Sequence, residues 1–142
     1  MSARILIADD KQVSLWSTSK ILRSYEGWEV CAEAENGQQA LSKAVELKPD
    51  VVILDLAMPV MNGLQAASEI GKVLPSVPIV LYTLYNLPPL ELEAKRVGVR
   101  QVVSKPDSEA LFKTVQSLLA DKAETTPGVS QLAESGTQLA TG

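Results

Sequence analysis

The fold of this chain follows from one stretch, DVVILDLAMP, at residues 50–59. Its four consecutive apolar residues, Val51 to Leu54, do not alternate with polar ones, so both faces of the strand that they form must be covered. This pattern is typical of a central strand in a parallel sheet with helices on each side. Asp55 comes directly after the strand, at the edge where ligands bind in open α/β sheets, and Pro59 and Gly63 break the chain before the next helix.

Strand and helix patterns alternate along the rest of the chain. The alternation of apolar and polar residues after Trp28 indicates a strand exposed on one face, at an edge of the sheet. Five strand-then-helix units predict an α/β fold with a five-stranded parallel sheet, helices on both faces and right-handed crossovers. The predicted strands are residues 4–8, 28–34, 51–54, 79–83 and 101–104, and the predicted helices are about 13–25, 37–48, 64–74, 88–97 and from a cap at Ser108 onward.

Length and composition predict one domain, at residues 1–122. The chain has 142 residues, of which 46% are hydrophobic and 4% aromatic, so its core is mainly aliphatic. Residues 123–142 shift to Thr, Ser, Gly, Ala, Gln and Glu, which bury too little apolar surface to offset the entropy of ordering. We expect this segment to be a flexible tail or a linker remnant.

Charge and residue usage exclude several classes of function. The formal charge of −4 argues against direct nucleic-acid binding, and the small basic group Lys95, Arg96 and Arg100 is interpreted as a solvated helix end. No histidine and a single cysteine exclude histidine-based triads, Cys-His dyads, histidine metal sites and intramolecular disulfides. The N-terminus runs into a strand without a secretory apolar stretch, and nothing reaches transmembrane length, which predicts a cytoplasmic protein without membrane contact.

Polar side chains follow four of the five predicted strands: Asp9 and Asp10, then Asp55, Thr83 and Lys105. In the flavodoxin-like strand order 2-1-3-4-5, the first and third strands are neighbours about 4.8 Å apart, so the three carboxylates would crowd together. Crowded carboxylates need a counter-charge, which Lys105 and a divalent cation such as Mg²⁺ can supply. This set suits phosphoryl transfer, and a carboxylate can itself be the nucleophile. Taken singly, the acid pair would be a helix cap, Thr83 a strand residue and Lys105 a turn lysine; their joint placement favours function.

These residues resemble the receiver domain of two-component response regulators over about residues 4–120. The motifs that carry the resemblance are Ala8-Asp9-Asp10, ILDLAMP at residues 53–59 followed by Asn62-Gly63, Thr83, and Ser104-Lys105-Pro106. The resemblance implies a phosphoacceptor signalling domain, not an enzyme, whose Asp55 takes a phosphoryl group from a sensor histidine kinase or phosphotransfer protein.

The resemblance also implies the role of each site residue. Mg²⁺ (or Mn²⁺) would be held by Asp10, Asp55 and the carbonyl of Ala57, and through water by Asp9. Lys105 would contact the phosphoryl oxygens, and Thr83 would move to bond the modified Asp55. The surface of the fourth helix, fifth strand and fifth helix would then change its preference for a partner: a second copy in a homodimer, a DNA-binding domain or another output domain.

One position departs from the family pattern: the switch site three residues before Lys105, commonly Tyr or Phe, is Val102. The sequence leaves open whether Tyr82 or Tyr85 supplies an aromatic side chain in place of the one absent at Val102. An aspartyl-phosphate phosphatase or phosphotransferase would carry a second acid where Ala57 stands, and a flavodoxin would not place Asp9-Asp10 in its phosphate loop. A receiver-like interaction module that never takes phosphate is disfavoured because the acids, Thr83 and Lys105 are all present.

Overall fold

The structure, a computed structural model, describes residues 2–124. Strands and helices alternate along it as predicted. The strands are β1 (Ala3–Ala8), β2 (Trp28–Ala34), β3 (Val51–Leu54), β4 (Ile79–Thr83) and β5 (Gln101–Ser104), and the helices are α1 (Gln12–Arg23), α2 (Gly37–Leu47), α3 (Gly63–Val73), α4 (Pro88–Arg96) and α5 (Ser108–Glu124).

The five strands form one parallel sheet in the order β2-β1-β3-β4-β5, which confirms the predicted flavodoxin-like order. The central strand is β3, and none of its residues is more than 1% exposed. Strand β2 lies at an edge, as its alternating pattern indicated. In the register of β1 and β3, Ala8 lies opposite Leu54, so the residues that follow these two strands leave the sheet side by side.

The sheet is covered on both faces, because its strand residues point alternately to the two sides. On one face Leu6, Val52, Leu54 and Leu81 pack against small and aliphatic residues of α2, α3 and α4. On the other face Ile5, Ile7, Val51, Ile53, Val80 and Tyr82 pack against α1 and α5. The result is the doubly wound arrangement in which a crevice opens at the carboxyl edge of the sheet.

Two local details differ from the sequence predictions. Helix α1 is Gln12–Arg23 and so ends before residue 25, where the pattern placed its end. Helix α5 is capped by Asp107, whose carboxylate accepts the Ala110 N–H at 3.0 Å, and not by Ser108. A carboxylate at this position also faces the positive end of the helix dipole.

The predicted tail lies mostly outside the described residues: α5 continues to Glu124, and residues 125–142 follow it. Among residues 2–124 no helix combines the length and the apolar character needed to cross a bilayer.

Candidate functional site

Three carboxylates meet at the carboxyl edge of the sheet, as predicted. Asp9 and Asp10 follow β1, Asp55 follows β3, and one carboxylate oxygen from each lies within 4.8 Å of those of the other two. Asp9 and Asp55 are only 3% and 5% exposed, whereas the Asp10 side chain is 33% exposed. The cluster is therefore buried at Asp9 and Asp55 and open to solvent at Asp10.

Lys105 enters the cluster from the end of β5. Its backbone N–H donates to the Thr83 carbonyl at 2.9 Å, which joins the ends of β4 and β5, and its side chain is 10% exposed. The ammonium group donates to a carboxylate oxygen of Asp9, to Asp55 Oδ2 at 3.4 Å and to Ser14 Oγ at 2.8 Å. Sequence reasoning missed Ser14, because a serine in the first turn of a helix carries no signal for such a contact.

The surroundings move the pKa values of the two buried carboxyl groups in opposite directions. Burial is the largest influence on Asp55, and with the negative charge of Asp9 it raises the Asp55 pKa despite the opposing ammonium of Lys105. Burial also acts to raise the pKa of Asp9, but hydrogen bonds from Lys105, Ser14 and the Lys11 N–H outweigh it and the Asp9 pKa is lowered. Asp9 is thus held as an anion, and Asp55 is the more basic carboxylate.

The residues present fit a magnesium ion. Three carboxylates face one ammonium group, so the cluster keeps an excess of negative charge. On Mg²⁺, two ligand oxygens at about 2.1 Å lie no more than about 4.2 Å apart. The three carboxylate oxygens, all within 4.8 Å of one another, lie close to this limit, and the partly exposed Asp10 leaves room for water ligands. Ala57 lies two residues after Asp55 in the β3–α3 loop, and its carbonyl stays a predicted ligand.

Two glycines hold the β3–α3 loop close to the sheet. The Gly63 N–H donates to the Leu56 carbonyl at 2.9 Å, and the Gly37 N–H donates to the Met61 carbonyl at 2.9 Å. A Cβ on Gly63 would lie 2.2 Å from the Asp55 carbonyl oxygen, and one on Gly37 would lie 2.1 Å from the Met61 carbonyl oxygen. The sequence pattern indicated Gly63 only as a break before a helix, and the close contact of Gly37 with Met61 depends on how α2 lies against the β3–α3 loop.

Thr83 is fully buried at the end of β4, and its Oγ1 accepts the Tyr85 N–H at 3.2 Å. Val102 packs on the face of the sheet that α2, α3 and α4 cover, whereas Tyr82 packs on the opposite face. Tyr82 therefore does not take the place of the aromatic residue absent at Val102. Tyr85, which is 51% exposed, contacts Thr83 through its backbone N–H.

A five-stranded sheet in this order, with five helices and an acid cluster at its carboxyl edge, defines a flavodoxin-like fold of the CheY kind. The family model for the response regulator receiver domain matches residues 5–116, and the chain belongs to that family. It is therefore a receiver domain of two-component signalling, a class of signalling domain rather than of enzyme.

The chain is similar to known regulators over most of its length. The chain is 37% identical to the chemotaxis protein CheY of Thermotoga maritima over 106 residues, 75% of this chain and 88% of the relative. It is 36% identical to the protein PilH of Pseudomonas aeruginosa over 121 residues, 83% and 98% of the two chains. A crystal structure of a LuxR-family two-component response regulator from Aurantimonas matches with a TM-score of 0.81 and 26% identity, covering 92% of this chain and 94% of that one.

Proposed function

We propose that Asp55 accepts a phosphoryl group from a sensor histidine kinase or phosphotransfer protein, with Mg²⁺ (or Mn²⁺) held by Asp9, Asp10, Asp55 and the Ala57 carbonyl. The observation that carries the proposal is the convergence of Asp9, Asp10, Asp55 and Lys105 from three strand ends. Three carboxylates and one ammonium group around a partly open crevice provide what phosphoryl transfer needs, which is mainly positioning and stabilisation of charge.

Of the two buried acids, Asp55 is the better nucleophile. Asp9 is occupied by Lys105 and by the Lys11 N–H, and its lowered pKa marks a weakly basic carboxylate. Asp55 has a raised pKa and a longer contact with Lys105, at 3.4 Å. Its Oδ1 accepts the Leu56 N–H at 2.8 Å, which orients the carboxylate after β3.

In the proposed reaction a carboxylate oxygen of Asp55 attacks phosphorus and forms an acyl phosphate. The bond from phosphorus to the donor's imidazole nitrogen breaks, and that nitrogen keeps the electron pair. Mg²⁺ held by these residues would supply positive charge to the phosphoryl oxygens. Lys105 gives up its long contact with Asp55, keeps Asp9 and donates to a phosphoryl oxygen. Thr83 turns its hydroxyl toward the new group and releases the Tyr85 N–H.

The added charge of about −1.5 to −2 is the perturbation that the fold must transmit. We propose that the surface of α4, β5 and α5 changes its affinity for a partner, because Thr83 and Lys105 sit at the ends of β4 and β5 that border this surface. Its partner would be a second copy, a downstream protein or an output domain, and the setting would be cytoplasmic.

Incubation with acetyl phosphate and Mg²⁺ is expected to add the mass of one phosphoryl group to the native chain, measured by intact-mass spectrometry. The Asp55→Asn variant is expected to show no adduct, because an amide is a poor nucleophile, and EDTA is expected to suppress the adduct of the native chain. Asp121→Asn, which changes an exposed aspartate on α5, is the matched control and is expected to behave like the native chain. An adduct that persists in Asp55→Asn would contradict the assignment.

Mg²⁺ affinity is expected to fall as the pH is lowered from neutral toward the raised pKa of Asp55. Protons compete with the ion for this carboxylate, whose pKa lies above its ordinary value because of burial and the charge of Asp9. Asp9 resists protonation to lower pH, since its pKa is lowered. Calorimetric titration with Mg²⁺ at a series of pH values measures the effect, and an affinity independent of pH down to the ordinary pKa of aspartate would contradict a ligand at Asp55 with a raised pKa.

A further inference from the structure

An open cavity of about 440 Å³ lies at the amino edge of the sheet, between the C-terminal turns of α3 and α4. It reaches Ile79, the first residue of β4, whereas the acid cluster lies at the carboxyl edge of the same sheet. The cavity and the candidate phosphorylation site are therefore at opposite ends of the strands.

Positive charge is concentrated on the wall of this cavity. Four of the thirteen basic residues of the chain line it, and no aspartate or glutamate of residues 2–124 does. The four are Lys72 from α3, Lys95 and Arg96 from α4, and Arg100 from the turn before β5. The sequence alone placed three of them at a solvated helix end, and the fold adds Lys72. A chain with a formal charge of −4 thus presents a concave surface of the opposite sign.

Two of these cations form ion pairs only with exposed acids of their own helices. Lys72 pairs with Glu69 at 3.1 Å, and Arg96 pairs with Glu93 at 3.3 Å. The four side chains are between 44% and 67% exposed. Pairs this exposed are weak, so an anion in the cavity can compete for both cations.

The other two cations, Lys95 and Arg100, have no ion pair within residues 2–124. Glu91 lines a smaller depression beside both of them, on the β5 side of α4, but pairs with neither. The C-terminus of α4 favours a cation at Lys95, whereas Arg100 lies outside any helix. Because a cleft lined by charges of one sign attracts the opposite charge, this convergence indicates an anionic ligand.

Gly71 keeps the cavity open. It lies in the last turn of α3, where glycine is less favourable than alanine. Packing does not require a glycine there, since a Cβ would meet only the Val97 carbonyl oxygen, at an ordinary 3.9 Å. Gly71 and Val97 both line the cavity, so a longer side chain at residue 71 would occupy it.

The wall also restricts the chemistry of the ligand. Arginine binds phosphate oxygens through paired hydrogen bonds, lysine adds a point charge, and several cations suit a ligand with several negative charges. Pro75, Val77 and Val97 add apolar surface to the same wall, which suits a flat ring. The volume lies in the range of about 300–1,000 Å³ typical of small-molecule sites.

We propose that this cavity binds a nucleoside triphosphate, with its phosphates among Lys72, Lys95, Arg96 and Arg100 and its base against Val77 and Val97. Binding needs neither Mg²⁺ at the acid cluster nor phosphorylation of Asp55, because the two sites lie at opposite edges of the sheet.

Titration of the full chain with ATP in the presence of EDTA, followed by two-dimensional amide NMR, tests the binding. EDTA prevents Mg²⁺ from linking the nucleotide to the acid cluster. We expect saturable shifts in the C-terminal turns of α3 and α4 and at residues 74–79 and 97–100. Adenosine, which lacks the phosphates, is expected to cause none. Tripolyphosphate, which lacks the base, is expected to bind about tenfold more weakly than ATP.

Arg100→Gln is expected to weaken ATP binding about tenfold, because it removes a guanidinium group and keeps the hydrogen bond from the backbone N–H of residue 100 to the Ile79 carbonyl. Lys113→Gln is the matched control: it removes the same charge from an exposed position on α5, outside the cavity, and is expected to leave affinity unchanged. Equal weakening by both variants would overturn the proposal, since ATP would then respond only to overall charge.

Gly71→Leu gives a second, independent test, because it keeps all four cations. Leucine is the better helix former and the position has room, so the variant is expected to fold and to abolish ATP binding by filling the cavity. Native affinity in Gly71→Leu, shifts that never saturate, or equal affinity for tripolyphosphate and ATP would each contradict a nucleotide site here.

Discussion

Gly63→Ala is expected to lose about 2–4 kcal/mol of folding stability, because the added methyl group has no room. Its Cβ would lie 2.2 Å from the Asp55 carbonyl oxygen and 3.0 Å from Leu56 Cα, both backbone atoms that no rotamer change can move. Relief requires α3 to shift away from the end of β3, which would also lengthen the hydrogen bond from the Gly63 N–H to the Leu56 carbonyl. The same shift would displace Asp55, so we also expect weaker Mg²⁺ binding.

Gly71→Ala in the same helix is the matched control. The nearest atom to its Cβ would be the Val97 carbonyl oxygen at 3.9 Å, an ordinary contact. Alanine is favoured over glycine within a helix, so this variant is expected to be up to about 1 kcal/mol more stable than the native chain. Urea unfolding followed by circular dichroism measures both. Equal stabilities for the two variants would mean that the loop accommodates a methyl group, and that the close approach of α3 to Asp55 is not required.

Lys105→Met is expected to lose about 3 kcal/mol of stability at neutral pH, because it leaves Asp9 and Asp55 buried and close together without their ammonium partner. The loss is expected to shrink as the pH falls. In the native chain the lowered pKa of Asp9 contributes stability above the ordinary aspartate pKa, and this is lost as the pH falls through the folded value. In the variant we expect burial and mutual repulsion to raise the pKa values of both carboxyl groups, so that protonation relieves the repulsion and favours folding.

Unfolding in urea at about pH 7.5 and about pH 5 tests whether the loss of stability in Lys105→Met shrinks as the pH falls. Lys113→Met is the matched control: its ion pair with Glu109 spans 3.5 Å, but the side chains are 69% and 79% exposed. Removing such a pair is expected to change stability by less than about 1 kcal/mol at both pH values. We also expect Lys105→Met to bind Mg²⁺ more tightly, because the lysine competes with the ion for the same carboxylates. A loss of stability that is the same at both pH values would show that Lys105 acts through packing and not through charge.

The central features of the site could be predicted because each depends on a local pattern. Val51 to Leu54 form an uninterrupted apolar run, which requires burial on both faces, and Asp55 follows it directly. The Trp28 to Ala34 alternation likewise identified an edge strand. Successive side chains of a strand point to opposite faces of the sheet. Such patterns therefore indicate which faces are covered before any tertiary contact is known.

Other features required the folded chain. The Lys105 contact with Ser14 joins residues 91 positions apart, and the bond from the Gly37 N–H to Met61 depends on how α2 lies against the β3–α3 loop. The pKa values of Asp9 and Asp55 move in opposite directions although both are aspartates after buried strands, because only Asp9 gains the closest lysine contact and the Ser14 hydroxyl.

The alternation of apolar runs and helical patterns thus specified the layers, the parallel sheet and the acids at its carboxyl edge. It did so because the order of apolar and polar residues determines which surfaces must be buried. The opposite pKa shifts of Asp9 and Asp55, the contact of Lys105 with Ser14 and the close approach of Gly37 to Met61 arose only in three dimensions. They depend on distances of a few ångströms between segments far apart in sequence, and no local pattern records such distances.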